Sequence, residues 1–351
     1  MRQPDHTFCI APMMECSDRH DRYLLRLFSR NIMLYTEMIP ALALLNGETA
    51  EFLRYDQLEH PVALQIGGSE PLKMALCAHL GEAAGFDEIN INVGCPSDRV
   101  QAGRFGVALM KEPYTVADCF RAMQDKVNIP VTIKCRIGVD DHDTYDHLRN
   151  FVEILSHAGC NIFIVHARKA WLRGLSPKQN REIPPLQYDV VYKLKKQFED
   201  LRIIINGGIQ DMESAKNHLG NVDGVMVGRE AYQNPMMLAE VDRLFFGSSE
   251  PKTTAMEVLE VYKLYIEREL RNGVRLHHIT KHMMGLFQGV PGARAWRRHL
   301  SSFATEPNAG LRVIEEAQSQ ISLSAHRLYQ LREQSENDGV VERSADRAVF
   351  S

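Results

Sequence analysis

Cys95 is the first residue with chemical promise, because the turn Gly94-Cys95-Pro96 carries a thiol between two loop-forming residues. A cysteine is ordinarily buried and inert, and a Gly-Cys-Pro loop reverses that expectation. Other polar side chains stand where short apolar runs end: Glu37, Gln65, Asn90, Asn92, Lys134, Arg136, His166, Arg168, Asn206 and Arg229. In Val131-Thr132-Ile133-Lys134-Cys135-Arg136 the period of two puts Thr132, Lys134 and Arg136 on one face. Two cations in a buried strand require anionic partners. For Arg136 a structural pairing with Glu37 or Glu88 and a place in the site are both open. Asn206-Gly207-Gly208 and Gly228-Arg229 end two further runs. Glycines there admit backbone N–H groups to a phosphate and Arg229 adds paired donors, so their joint occurrence predicts phosphate binding.

These residues need elements to bring them together. Strands are expected at Phe8–Met13, Met33–Thr36, Val62–Ile66, Glu88–Asn92, Val131–Arg136, Ile162–His166, Ile203–Asn206 and Gly224–Val227. Helical spacing falls between them, at Pro71–Ala84, Thr115–Asp125, Tyr145–His157 and Tyr188–Phe198. Strand and helix in alternation imply a parallel sheet, and eight such units close into a TIM (β/α)8 barrel whose strand ends share one rim. An open doubly wound sheet is the alternative, but the chain lacks the GxGxxG signature of that fold.

The strand spacing stops after Pro235, and Ser248-Ser249-Glu250-Pro251-Lys252 reads as a linker. The expected division is a barrel over 1–245, a helical domain over 252–333 and a polar tail over 334–351. Helices are expected at Ala255–Leu270, Leu276–Phe287, Gly292–Ala304 and Leu311–Arg332.

The stretch Asn90-Ile91-Asn92-Val93-Gly94-Cys95-Pro96 resembles the N-x-G-C-P motif of the tRNA-dihydrouridine synthases, flavin-binding barrels of this architecture. The resemblance covers almost the whole chain. It extends to Ala11-Pro12-Met13-Met14, Leu64-Gln65-Ile66-Gly67-Gly68, Ile133-Lys134-Cys135-Arg136, Val165-His166-Ala167-Arg168, Asn206-Gly207-Gly208-Ile209 and Gly228-Arg229. The segment from Ala167 to Arg181, with Pro184-Pro185-Leu186, looks like the A subfamily, which reduces uridines 20 and 20a of the tRNA D-loop.

That resemblance implies FMN as cofactor and NADPH as reductant. Hydride adds at C6 of uracil, and C5 then needs a proton. A thiol with an ordinary pKa of about 8.5 is mostly protonated at neutral pH and can supply it, so Cys95 is the implied general acid. Lys134 is suited to the anionic edge of a reduced flavin. Gln65, His166 and the backbone of Pro12, Met13 and Met14 are implied ring contacts, with the phosphate at Asn206, Gly207, Gly208, Gly228 and Arg229. Gln65 and His166 have ordinary alternatives as satisfied core residues.

A tRNA substrate agrees with the charge pattern. The chain has 41 Lys and Arg against 45 Asp and Glu, which argues only against a protein basic throughout. Residues 154–181 nevertheless hold Arg168, Lys169, Arg173, Lys178 and Arg181 without one acid. Residues 271–300 repeat this with Arg271, Arg275, Lys281, Arg294, Arg297 and Arg298. If the helical part folds beside the mouth, the two stretches wall a phosphate-neutralising groove. Lys178 and Arg181, and Arg294 and Arg297, are the expected tRNA contacts, with Asn92, Gln101 and Arg104 near the target nucleotide. Trp171 and Trp296 are either base-stacking platforms or anchors.

The seven cysteines form no CxxC pair, and His277, His278 and His282 lack a carboxylate partner, so no metal is expected. The sequence contains no long apolar run or leader-like start, which makes the cytoplasm the expected location. Two rival functions remain: a flavin reductase of a free pyrimidine, and a noncatalytic tRNA-binding or tRNA-folding protein.

Overall fold

The computed structural model describes residues 4–321. They fall into two compact units that divide between Thr253 and Thr254.

The first unit is a TIM barrel. Its staves are β1 (Phe8–Ile10), β2 (Leu34–Tyr35), β3 (Val62–Gly67), β4 (Glu88–Val93), β5 (Val131–Arg136), β6 (Ile162–His166), β7 (Arg202–Asn206) and β8 (Gly224–Val227). All pairings are parallel, in the order β1-β8-β7-β6-β5-β4-β3-β2. A two-residue segment, Ile39–Pro40, pairs with the far end of β3 and continues the β2 stave. The ring closes where Ile10 N–H donates to Met33 O at 2.9 Å and Met33 N–H donates to Phe8 O at 3.0 Å. Closure leaves no exposed sheet edge.

Every residue of β3 and β4 is buried, as helices over a parallel sheet require. Alternate residues point inward. Cys9, Met33, Tyr35, Ala63, Ile164, Ile204 and Met226 form an apolar cluster there. Gln65, Glu88, Asn90, Asn92 and Thr132 are buried polar residues of three adjacent staves, β3 to β5.

The helices Pro71–Ala84 and Tyr145–His157 have the expected bounds. Pro113–Gln124 starts two residues earlier than expected, because proline is well suited to the first helical turn. The first strand ends at Ile10 rather than Met13, since Met13 O accepts from Cys16 and Ser17 N–H and the chain turns there.

In the second unit Ala255–Arg271 begins with a capping box between Thr254 and Glu257. The expected helix Leu276–Phe287 is broken. Leu276–Thr280 passes into a 3-10 turn, Lys281–Met283, and then into turns. Met283 O accepts from Leu286 N–H, three residues on, at 3.2 Å, and also from Trp296 Nε1–H at 3.2 Å. Ala293–Phe303 follows, then a helix over 311–321. The remainder of the expected Leu311–Arg332 helix and the polar tail lie outside the described residues. Among the described residues no three His, Cys, Asp or Glu side chains gather as a metal site needs, and no helix is long and apolar enough to cross a membrane.

Candidate active site

The Cys95 turn follows β4 at the C-terminal rim. Asn92 builds it: its Oδ1 accepts from Gly94 N–H at 3.1 Å and Cys95 N–H at 3.0 Å. The segment after the turn folds back, and Val107 N–H donates to Cys95 O at 3.0 Å. Gly106 makes that return possible, with φ of 70° and no room for a Cβ, which would lie 2.5 Å from Cys95 O. Cys95 itself is half-buried, and its Sγ is 3.5 Å from Ser97 Oγ.

Arg136 does not pair with Glu37 or Glu88. Its Nε donates to Gly94 O at 2.8 Å, and its Nη1 donates to Lys169 O and Asn180 O, each at 3.1 Å. Backbone carbonyls of two loops thus replace the anionic partner that a buried cation was expected to need. Burial lowers its pKa to about 10. The clamp ties the cysteine turn to the loop after β6.

That loop is held by Asn180, to which the sequence pattern assigns no role. Its Oδ1 accepts from Trp171 N–H at 2.8 Å, and its Nδ2 donates to Trp171 O at 2.9 Å and Leu175 O at 3.2 Å. The amide therefore acts as a strand-like neighbour for Trp171. Lys178 and Arg181 are exposed at either end of the 3-10 turn Gln179–Arg181. Residues three apart eclipse in such a turn, so both cations face the same way.

Lys134 is half-buried, and its Nζ donates to Asn206 Oδ1 at 3.1 Å. Burial, reinforced by Arg136, brings its pKa down to about 8. Asn206 is fixed in turn, donating to Met226 O at 2.7 Å. The His166 imidazole is held well below its usual range by burial and then by Arg136, Lys134, Arg168 and Arg181. It is neutral at physiological pH. Its ring packs against Gly207, where a Cβ would lie 2.8 Å away; Gly208 likewise gives way to Leu186. Both glycines have left-handed φ, 121° and 71°. Gly228 lies outside that region, with φ of −115°. Arg229 opens the helix Arg229–Gln233 and pairs with Glu182 at 2.9 Å.

Other expected contacts carry protein bonds. Gln65 is fully buried, with its Nε2 on Asn90 Oδ1 at 2.7 Å and its Oε1 taking Asn92 Nδ2 at 2.8 Å. These bonds use one N–H and one lone pair of the amide and leave one of each. Gln101 Nε2 donates to Pro96 O and Leu172 O, both at 2.9 Å. Arg104 is exposed with φ of 54°. At the end of β1, Pro12 and Met13 are half-buried and Met14 is exposed.

In the helical unit Arg294 is exposed and Arg297 half-buried, neighbours on the helix Ala293–Phe303. Trp296 is completely buried against Phe287 with ring centroids 4.8 Å apart, so it is an anchor of that unit. Trp171 is half-buried in the barrel's basic loop, with Lys169 Nζ 4.0 Å from its ring centroid.

A half-buried thiol, a neutral imidazole and two cations on the C-terminal rim define a (β/α)8-barrel protein with its site where such barrels carry their chemistry. The family model described as Dihydrouridine synthase (Dus) matches residues 9–322, and the chain belongs to that family. A tRNA-dihydrouridine(20/20a) synthase of Escherichia coli O6:H1 is 58% identical over 315 residues, covering 90% of this chain and 95% of its own. Proteins of the same name from Shewanella oneidensis and Vibrio vulnificus are 56% and 55% identical, covering 89% of this chain in each case and 92% and 96% of their own.

Proposed function

We propose that this chain reduces uridine to 5,6-dihydrouridine at positions 20 and 20a of the tRNA D-loop, with FMN as bound cofactor and NADPH as reductant, in the cytoplasm. The observation that carries the reading is the half-buried Cys95, held on the rim by Asn92 and Arg136. Family membership and the shared name of the relatives support the substrate.

The residues present fit an anionic flavin. Among the described residues Lys134 Nζ has one hydrogen-bond partner, a neutral amide oxygen, and no carboxylate figures among the charges acting on Lys134 or His166. Among those residues Lys134 and His166 have no carboxylate beside them, which suits that part of the mouth to an anionic ligand, while Arg229 is paired with Glu182. When bound, the flavin supplies a hydride for C6 of the uracil ring. Lys134 and His166 would hold its polar edge; the amides around Gly207 and Gly208, with Arg229, would hold its phosphate. Cys95 Sγ–H would give its proton to C5. Lys178 and Arg181 would bind tRNA phosphates beside the mouth, and Arg294 and Arg297 would add contacts from the helical unit. Such contacts offset the few kcal/mol needed to unstack a base from folded RNA.

Mapping dihydrouridine at nucleotide resolution, in tRNA from cells with and without the protein, tests the reading. Loss of the modification at 20 and 20a is expected. An unchanged map, purified protein without a flavin spectrum, or unaltered turnover in Cys95→Ala would overturn it. Salt-sensitive tRNA binding without product would favour the noncatalytic rival, and equal reduction of free pyrimidine the other.

A further inference from the structure

A directed chain of hydrogen bonds runs beneath the mouth, through three adjacent staves. Gly94 and Cys95 N–H donate to Asn92 Oδ1 at 3.1 and 3.0 Å. Asn92 Nδ2 donates to Gln65 Oε1 at 2.8 Å, and Gln65 Nε2 to Asn90 Oδ1 at 2.7 Å. Asn90 Nδ2 donates to Thr132 Oγ1 at 2.8 Å, and the Thr132 hydroxyl donates to Glu88 Oε1 at 2.6 Å. The other oxygen of Glu88 meets His6 Nε2 at 2.6 Å. Strand register makes this possible, placing Asn90 beside Gln65 on one side and Thr132 on the other. Asn92 is 8% exposed, and Gln65, Asn90, Thr132 and Glu88 are fully buried.

The two ends fix the polarity of everything between them. Backbone N–H groups can only donate, so Asn92 must present its oxygen to the cysteine turn. A carboxylate can only accept, so Thr132 must spend its hydrogen on Glu88 and its lone pair on Asn90. Each intervening amide then has one allowed orientation. Reversing one would oppose two donors or two oxygens in a buried place, at roughly 1–3 kcal/mol for each unsatisfied group. Bonds running in one direction also polarise each other.

We infer that Glu88 and Thr132 are positioning residues for the Cys95 turn, acting through Asn90, Gln65 and Asn92. Neither has direct contact with the turn. This inference rests on the proposed role of Cys95 as proton donor.

The test uses the flavin-loaded enzyme and separates two half-reactions: reduction by NADPH, and reoxidation of pre-reduced enzyme by excess tRNA. Thr132→Val keeps the shape and removes the hydroxyl; Thr132→Ser keeps the hydroxyl. For Thr132→Val the tRNA-dependent step should slow about tenfold or more, with NADPH reduction within about twofold, because displaced reacting groups lose rate steeply. Thr132→Ser should restore the tRNA step to within about threefold of wild type. Wild-type reoxidation in Thr132→Val, equal slowing of both half-reactions, or no recovery in Thr132→Ser would overturn the inference. Should Thr132→Val fail to hold flavin, amide hydrogen exchange of the wild type decides. Gly94 and Cys95 should exchange slowly, and exchange as fast as a solvent-exposed turn refutes the chain. Wild-type enzyme that forms no dihydrouridine would instead defeat the functional reading, whatever the exchange rates.

Discussion

Replacing Arg136 by methionine tests what holds the mouth together. The guanidinium is 3% exposed and serves three carbonyls, those of Gly94, Lys169 and Asn180. Three acceptors left without a donor cost roughly 1–3 kcal/mol each when buried, and the lower figure applies where loops admit water, giving about 3 kcal/mol. Methionine fills part of the same space and removes a cation whose burial is costly, which returns about 1 kcal/mol. The net loss of about 2 kcal/mol corresponds to a fall of about 4–8 °C in melting temperature for a unit of this size. Arg136→Lys retains the charge but cannot span three carbonyls, so it should recover less than half of the loss. Melting curves of the flavin-loaded protein, read by circular dichroism, supply the comparison. A fall below about 2 °C for methionine, or lysine equal to wild type, would refute the clamp as a source of stability.

Three further outcomes are expected. Cys95→Ala should lower dihydrouridine formation about a hundredfold or more, as loss of a general acid does, while NADPH still bleaches the flavin; tRNA turnover and flavin absorbance check the two parts. Lys178→Ala with Arg181→Ala should reduce the salt dependence of tRNA binding by about one to two in log–log slope and leave NADPH oxidation by an artificial acceptor unchanged. Lys134 has a folded pKa of about 8 against the ordinary 10.5, so below pH 8 both states are charged and the folded state bears the full desolvation cost. Between those values the folded state sheds a proton that the unfolded state keeps, and stability rises with pH. Flavin-free Lys134→Met should therefore be more stable than flavin-free wild type by about 1–2 kcal/mol at pH 7, after allowance for solvent screening of a half-buried group. That advantage should disappear above about pH 10.5 in urea titrations.

The barrel was legible because short β-branched runs recur at regular spacing: Ile162–His166 is apolar on both faces up to its terminal histidine, and Val131–Arg136 alternates apolar with polar residues. Period two also revealed that Thr132, Lys134 and Arg136 share a face. It could not reveal their partners, because backbone carbonyls belong to every residue and carry no sequence signal. Hence a carboxylate pairing for Arg136 stood open beside a place in the site, and loop carbonyls hold it instead of a carboxylate. The inward alternation of Gln65, then Glu88, Asn90 and Asn92, then Thr132 was the available sign of a polar lumen. Asn92 and Cys95, three apart, also fit an asparagine-capped turn. Trp296 and the broken helix near Met283 were less accessible, since the indole meets a backbone carbonyl thirteen residues away, which no local pattern marks. Asn180 gave no local cue at all; its meaning comes from Trp171, nine residues away.

The way Asn180 encloses its loop separates shape from charge. The fastening is made to the main chain of Trp171 and Leu175, while Arg173 and Lys178 project outward and take no part in it. Substitutions at those outward positions would change the charge of the loop without dismantling the support beneath them, which under the proposed tRNA role would alter binding alone. The charge of this loop is free to vary while its path, and the cysteine turn that Arg136 ties to it, stay as they are.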